Sequence, residues 1–468
     1  MDDFLREIQT SVFREWINNQ KRDYYHLHQS ETDPDAIIIE NEYCYSYVTF
    51  NPQCIIELCV MNKRTDEMAF YLHFQFKTLK HAISLFEEMD QCIKKMVDQP
   101  MCRLLLCCSG GMTTAFFADK IKNGIKVLNL NMEVAATSYQ KIYNVAQNYD
   151  VILLAPQVSY VKLQVEKVFK NKLVLKIPTQ IFASYNVGAL ITFVEESLKH
   201  KENKYNGYVE PLASMMEIKT NKNVLAVSIN ANGENSHISY RLYNSHQDIV
   251  LDSNIIKSNI KLQDVLDALD TVVLQNEMID VISIALPGVM VEGNVYSGII
   301  EGGNHQLKER LEKRYEKEIY LINDVNAAVV GYYASQNEYK SLAFLFQPIG
   351  RMAGSGIIVS GQLIRGMDHL AGEVALLPLN LSDAYLTLAN TPEGTLELVT
   401  KNIMSIIAIV APEAIVVYSD LILDSQDVSD EIKKSLSQYS LKVYPKIIKV
   451  ENILEYILLG AMILSAKE

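Results

Sequence analysis

The segment Arg103-Leu-Leu-Leu-Cys-Cys108-Ser-Gly-Gly-Met112-Thr-Thr114 ends an apolar run on a cysteine and passes into a small polar loop. The next residues, Ala115-Phe-Phe-Ala-Asp-Lys-Ile121, have helical spacing. A thiol at that junction faces loop N–H groups and a helix N-terminus, which stabilise a thiolate and a bound phosphoryl group alike. Cys107 and Cys108 point to opposite faces of a strand, so only one of them can face the loop. The default account of a free cysteine is a buried structural thiol. Against it stand Gly110 and Gly111, because glycines at a strand-to-helix turn let the backbone close around an anion. Stable hydrolysis of a phosphocysteine needs a guanidinium clamp, and the place for one in this loop is held by Thr114. What remains is a labile phosphocysteine that hands its phosphoryl group onward.

A second set of candidates lies in the C-terminal half. Tyr320-Leu-Ile-Asn323-Asp324-Val-Asn326-Ala-Ala328 sets an aspartate after a β-rich run and at the opening of a helix. A carboxylate there can accept a proton from a sugar hydroxyl, or it can cap the helix, which is the commoner use. Ala353-Gly-Ser-Gly-Ile-Ile-Val-Ser-Gly361-Gln-Leu-Ile-Arg365-Gly366 reads as a hairpin with glycines at its bends, and alone it is weak evidence of phosphate binding.

The elements that must position these residues fall into three regions. Residues 1–98 open with an amphipathic helix on Phe4, Ile8, Val12 and Trp16, continue through β-rich segments such as Tyr43–Thr49 and Met68–Phe76, and close with helical spacing from Leu79 to Met96. This predicts a small α+β module, with its aromatics in a core. In 101–199 strands and helices alternate: strands Arg103–Cys108, Lys126–Met132, Val151–Ala155 and Lys172–Ile177, and helices Thr113–Lys122, Thr137–Asn148, Tyr160–Phe169 and Val187–Leu198. That order predicts a four-stranded parallel sheet with functional loops at its strand C-termini. A polar linker, 200–222, precedes a region 223–468 whose pattern fits two similar α/β halves.

At Leu104–Thr114, and again at Asp150-Val-Ile-Leu-Leu-Ala-Pro-Gln157-Val-Ser-Tyr160, the chain resembles the IIB component of the lactose/cellobiose class of the sugar phosphotransferase system. The resemblance implies that Cys108 accepts phosphate from a IIA-type phosphohistidine protein and passes it toward a membrane IIC protein. It also implies that Ser109, Gly110, Gly111, Met112, Thr113 and Thr114 cradle the phosphoryl group. The run Asn323-Asp-Val-Asn-Ala-Ala328, the hairpin from Gly354 to Gly366 and Ala371-Gly372-Glu373-Val374 resemble the ROK family of sugar kinases and sugar-responsive repressors. That implies an actin-like ATPase fold with Asp324 as general base, and Asn323, Gly372 and Glu373 as sugar contacts.

The departures from the ROK pattern concern the nucleotide. Ser228-Ile-Asn-Ala-Asn232 stands where that family has Asp then Gly-Gly-Thr, and Gly350-Arg351-Met352-Ala353 lacks the usual Thr and Gly. Tyr418-Ser-Asp420 replaces a glycine-rich turn, Leu376 takes a histidine's place, and the cysteine-rich zinc motif is missing. Bulky or charged side chains at three nucleotide-facing turns oppose close approach of backbone to ATP.

The expected fold is therefore α/β multidomain, a four-stranded parallel-sheet IIB-like domain plus a two-lobed actin-like (ROK-type) domain behind the small α+β module. With 468 residues, 49% hydrophobic, the chain can build several cores. A net charge of −13 argues against direct nucleic-acid binding. Its seven cysteines, odd in number and without metal-ligand spacing, suit reduced thiols and no metal site. No apolar run reaches the roughly 18 residues of a membrane span, and no signal-peptide core opens the chain, so a cytoplasmic protein is expected.

The function expected is a phosphotransferase-system protein phosphorylated on Cys108, whose kinase-impaired ROK-like half senses a sugar or sugar phosphate. No cofactor is expected, with ATP and Mg entering only under the alternative of an active sugar kinase. A non-enzymatic regulator or scaffold is the other alternative, and self-association into a homo-oligomer stays open.

Overall fold

In the computed structural model the described residues are 3–63, 67–98, 102–110, 112–128, 130, 132–170, 172–199, 220–232, 235–291, 294–296, 300–301, 307–367, 370–422, 424–437 and 444–467. Helix α1 (Asp3–Asn18) precedes five antiparallel strands, β1 (His26–Gln29), β2 (Ala36–Glu40), β3 (Cys44–Asn51), β4 (Ile55–Asn62) and β5 (Glu67–Gln75), and α2 (Leu79–Asp98) closes the region. The next unit runs β6 (Cys102–Cys108), α3 (Met112–Val127), β7 (Met132–Ser138), α4 (Ile142–Val145), β8 (Val151–Leu154), α5 (Lys162–Val168), β9 (Leu173–Lys176), α6 (Thr179–Ser184) and α7 (Val187–Lys199). Its sheet is all parallel in the order β7-β6-β8-β9, as alternating strands and helices require. The continuous apolar run of β6 follows from its central place, where both faces are covered.

Two expectations within this unit are corrected. The second strand lies at Met132–Ser138, not Lys126–Met132, because α3 runs on to Val127. The expected helix Thr137–Asn148 breaks into the last turn of that strand, two 3-10 turns and the four residues of α4.

Residues 200–219, most of the expected linker, lie outside the described residues; after them come β10 (Val224–Asn232), β11 (Asn235–Tyr243), β12 (Ile249–Lys257), β13 (Ile260–Lys261), α8 (Leu262–Gln275), β14 (Val281–Leu286), β15 (Val289–Val291), β16 (Asn294–Tyr296), β17 (Ile300–Glu301), α9 (Leu307–Tyr315) and β18 (Glu318–Asn323). Then follow α10 (Asp324–Ala334), β19 (Leu342–Phe346), β20 (Gly354–Val359), β21 (Gln362–Leu363), α11 (Tyr385–Leu388), α12 (Pro392–Val410), β22 (Ala414–Tyr418), α13 (Ser425–Leu436), β23 (Lys446–Lys449) and α14 (Leu454–Lys467). Besides the two-stranded pairs β13-β17 and β15-β16, the described residues of this half form two larger sheets, one holding β10 to β12, β14 and β18 and the other ordered β21-β20-β19-β22-β23. The buried helices α10 and α14 share one apolar cluster with residues of both sheets. The helices cross closely because their contact residues are glycines: a Cβ on Gly460 would stand 1.8 Å from the Ala327 carbonyl oxygen, and one on Gly331 2.0 Å from that of Tyr456. The chain is α/β and multidomain, with the parallel four-stranded unit and the two-lobed half both present.

The first sheet does not stop at β12. Its ten strands run β1-β2-β3-β4-β5-β12-β11-β10-β14-β18, joined where β5 pairs with β12 at Tyr71 and Ile256. Residues on both sides of the junction form one apolar cluster, from Phe13 and Ile37 to Leu225 and Ile284. Ion pairs cross the same junction: the buried Lys257, paired with Asp264 at 2.5 Å on its own side, also meets Glu88 at 2.5 Å, and Lys77 meets the buried Asp267 at 2.6 Å. The first 98 residues thus widen the first lobe, and the four-stranded unit is inserted between the two parts of that sheet in chain order.

Candidate functional site

Cys108 is the last residue of β6, paired in register with Ser138 at the end of β7. Its Sγ accepts a hydrogen bond from the Gly110 amide at 3.2 Å and lies 4.0 Å from the Thr137 carbonyl oxygen. Gly110 has φ +106°, a region where side chains are strained, so the turn that aims this amide at sulfur depends on glycine. Ser109 and Gly110 are exposed, whereas the thiol itself is 6% exposed. Cys107 points the other way into the core, and burial beside Cys108 pushes its thiol up to about 12. Only Cys108 has a loop N–H donor directed at its sulfur among the contacts of the pair, in keeping with the alternation of a strand. Met112, Thr113 and Thr114 form the first turn of α3, and Gly111 lies outside the described residues, so the expected cradle is placed only as far as backbone at these positions.

The second site is assembled by one strand. Gly354 and Gly356 of β20 press against the start of α10, where Cβ atoms would meet Val325 Cγ2 at 3.1 Å and the Val325 carbonyl oxygen at 2.5 Å. The other approach is at Gly372, φ +93°, whose Cβ would fall 1.7 Å from the Ser355 carbonyl oxygen. These glycines serve close packing of strand on helix and turn, and by it they bring Asp324 and Glu373 near enough to feel each other's charge.

The capping role falls to Asn323. Its Oδ1 accepts from the amides of Val325 at 3.1 Å and Asn326 at 3.0 Å, while Nδ2 donates to the Gly288 carbonyl at 3.3 Å. Asp324 is left as the first helical residue, 7% exposed, with Oδ1 accepting from the Val325 amide at 2.9 Å. Burial raises its carboxyl to about 6, its backbone hydrogen bonds oppose that, and Glu373 adds to it. Glu373, half-buried, is also raised by burial. A carboxylate poised near neutrality, beside a second one, suits acceptance of a hydrogen bond or proton from a sugar hydroxyl.

The turns facing the expected nucleotide place are otherwise occupied. Along 347–353, the Gln347 amide donates to the Tyr418 carbonyl at 3.0 Å, that of Gly350 to Ala389 at 2.9 Å, and that of Ala353 to the Tyr385 hydroxyl at 3.2 Å. Pro348 has no N–H to give. The fully buried Gln347 side chain fastens this turn further, donating to the carbonyls of Pro348 and Arg351 and accepting from Tyr385 Oη, each at 2.9 Å. Tyr418 stacks at an angle on Phe346, 5.5 Å between ring centres. Asn230 and Tyr418 are half-buried, whereas Arg351, Met352 and Leu376 are exposed, so the arginine does not fill the interior.

Contacts that sequence reasoning missed join the four-stranded unit to the C-terminal half. Tyr139, the residue after Ser138, donates its hydroxyl to Glu393 Oε1 at 2.9 Å. Leu421, 2% exposed, belongs to the apolar cluster of the four-stranded unit, and Ile349 packs against it. Lys170 lies 3.7 Å from Glu451. Partners more than two hundred residues apart leave no local signal, although Thr391-Pro392-Glu393 carries a legible helix start, with Thr391 accepting from the Gly394 amide. Among the described residues no group of three or more His, Cys, Asp and Glu is placed to hold a metal, and no helix is long and apolar enough to cross a membrane.

Comparison with known proteins follows the same division. Residues 103–192 match the family of the PTS system, Lactose/Cellobiose specific IIB subunit, and residues 233–395 match the ROK family. A curated relative, the oligo-beta-mannoside-specific EIIB component of Bacillus subtilis (strain 168), is 30% identical over 67 residues, 14% of this chain and 65% of that protein, so the match spans just under two thirds of its length. Among solved structures, a ROK family protein from Streptococcus pneumoniae in complex with sucrose aligns at TM-score 0.43 and 18% identity, covering 52% of this chain and 97% of its own. The lactose-specific IIB component domain from Streptococcus pneumoniae aligns at TM-score 0.19 and 23% identity, covering 20% and 95%. This chain thus matches the lactose/cellobiose IIB family in one segment and the ROK family in another.

Proposed function

We propose that this protein takes a phosphoryl group on Cys108 from a IIA-type phosphohistidine protein and couples that state to a ROK-like half that binds a sugar or sugar phosphate without phosphorylating it. The observation that carries the first part is the Gly110 amide directed at Cys108 Sγ from a turn that needs glycine. A backbone amide aimed at the sulfur is a donor available to the oxygens of a phosphoryl group carried there. The position of Thr114, where a clamping arginine would sit, favours onward transfer over hydrolysis.

The second part rests on asymmetry within the ROK-like half. Asp324 is buried and feels the charge of the half-buried Glu373, as a sugar-binding pair needs, while the amides of Gln347, Gly350 and Ala353 are spent inside the fold. Phosphate loops work by leaving such amides free. Sugar binding at Asp324 by hydrogen bonding alone is consistent with both facts, and the role that follows is in sugar uptake or its regulation.

The test is incubation of the full chain with phosphoenolpyruvate, the general phosphotransfer proteins and a IIA protein. An acid-resistant, iodine-sensitive label that disappears in Cys108→Ser is expected, and equal labelling of that variant ends the reading. Titration calorimetry should show binding from a panel of hexoses, disaccharides and their phosphates but no heat with ATP and Mg. ATP-dependent sugar phosphorylation abolished by Asp324→Asn would establish the active-kinase alternative instead.

A further inference from the structure

The four-stranded unit sits on a particular edge of the second lobe. β19, β22 and β23 are parallel, and Ile349, Leu421 and Glu451 all follow the C-terminal ends of these three strands, while Glu393 opens α12. All four touch the four-stranded unit: Ile349 and Leu421 join its apolar cluster, Glu393 accepts from Tyr139 and Glu451 pairs with Lys170. The carboxyl edge of parallel strands is where open α/β sheets take their ligands. The unit therefore caps the edge at which a ligand of this lobe would enter.

The strand end that leads into Tyr139 is paired with the one that ends in Cys108. Cys108 and Ser138 are register partners at the ends of adjacent strands, Sγ is 4.0 Å from the Thr137 carbonyl, and Tyr139 is the next residue on β7's strand end. Its hydroxyl donates to the exposed Glu393 carboxylate at 2.9 Å, with Gln164 Oε1 a longer alternative at 3.4 Å. A phosphoryl group on Cys108 places close to two negative charges at the same strand ends. That charge takes up the loop amide at Gly110 and adds to the negative potential at this edge, against the Glu393 carboxylate.

We propose that the four-stranded unit is a phosphorylation-released cap: with Cys108 unmodified it covers the carboxyl edge of the second lobe's sheet, and phosphorylation of Cys108 breaks the Tyr139–Glu393 contact and uncovers that edge. This rests on the phosphocysteine reading above. In the chemical step the Cys108 thiolate attacks phosphorus of a phosphohistidine on the donor protein, the S–P bond forms as the P–N bond breaks, and the leaving imidazole keeps the electron pair and takes up the proton lost by the thiol. The exposed Lys170–Glu451 pair contributes little to holding the cap. The Tyr139–Glu393 bond and the burial of Leu421 are the parts that count.

Hydrogen exchange of the full chain, read by mass spectrometry over 347–353 and 418–422, tests the proposal in two arms. In the first, protein phosphorylated from phosphoenolpyruvate should exchange at these segments at least several-fold faster than the unmodified protein. In the second, Cys108→Asp, which adds charge without any donor, should exchange faster than Cys108→Asn, and adding Glu393→Gln to the aspartate variant should reverse the difference, since the amide oxygen still accepts from Tyr139. Confirmed phosphorylation of Cys108 with unchanged exchange overturns the cap while leaving the phosphocysteine reading intact. Equal exchange of the aspartate and asparagine variants also overturns it. A charge-dependent difference that Glu393→Gln reverses supports the coupling even if no phosphoryl transfer is detected, and in that case only the phosphocysteine reading falls.

Discussion

Replacing Asp324 by asparagine should make the protein more stable at neutral pH. The carboxyl sits at the start of a largely buried helix, 7% exposed, and its proton is held more tightly than in an unfolded chain, from 3.8 to about 6. Burial is the main cause and the Glu373 charge adds to it. At about 1.36 kcal/mol per tenfold change in protonation, that rise corresponds to about 3 kcal/mol. The sign follows from the proton count. Between pH 4 and 6 the folded state binds the proton more than the unfolded state does, so this stability is complete below pH 4 and is lost as pH rises through 6. Asparagine keeps an oxygen for the Val325 amide and has no charge to bury. Urea unfolding of both proteins from pH 4 to 8 should give a stability gap that grows in favour of Asp324→Asn by up to about 3 kcal/mol, then levels off. Glu373→Gln in the same assay should move the midpoint of that rise to lower pH. A gap that does not change with pH, or an asparagine variant less stable than wild type at pH 7, would refute the burial argument.

Other consequences of the packing are equally direct. Gly460→Ala puts a methyl against the Ala327 carbonyl where α14 crosses α10, and thermal unfolding should show a loss of about 2 kcal/mol or more. Lys257→Met leaves the buried Asp264 without its cation at the junction of β12 and the first 98 residues, so unfolding measured in urea should show a cost of about 3–5 kcal/mol. His73, bonded to Tyr240 at 2.8 Å and held neutral by burial at about 4, contributes stability present above pH 6.5 and lost as pH falls toward 4. His73→Phe should remove that slope, opposite in direction to the slope from Asp324, from the urea midpoint measured between pH 6.5 and 4.5.

What could be read in the sequence was whatever local spacing dictates. The run ending in Cys108, the polar loop and the helix after it are decided by residues within ten positions of each other, and β8 and α7 emerged within a residue of their expected ends. The first helix shows where local spacing misleads. Phe4, Ile8, Val12 and Trp16 recur every fourth residue, which drifts about 40° per step around a helix, so they cannot all face one core. Phe13 and Ile17 are fully buried, while Phe4, Ile8 and Val12 remain 69%, 45% and 49% exposed.

Long-range pairing decided the rest. β7 is built of small and polar residues, Ala135-Ala-Thr-Ser138, with weak strand propensity, and it forms because it is the edge partner of β6. The pairing of β5 with β12 joins residues nearly two hundred positions apart, and Tyr139 with Glu393 spans 254. At Asp324 the sequence left capping and hydroxyl binding as rivals. The structure gives the cap to its neighbour Asn323.

The most direct measurement is where the phosphoryl group goes. After transfer from phosphoenolpyruvate through the general phosphotransfer proteins and a IIA protein, proteolysis at Arg103 and Lys120 releases the fragment 104–120, which holds both Cys107 and Cys108. Fragment-ion mass spectrometry should place the phosphoryl group on Cys108, with transfer unchanged in Cys107→Ser and abolished in Cys108→Ser. A phosphoryl group on Cys107 or on a histidine, or none at all with a IIA protein that labels its own IIB, would contradict the account.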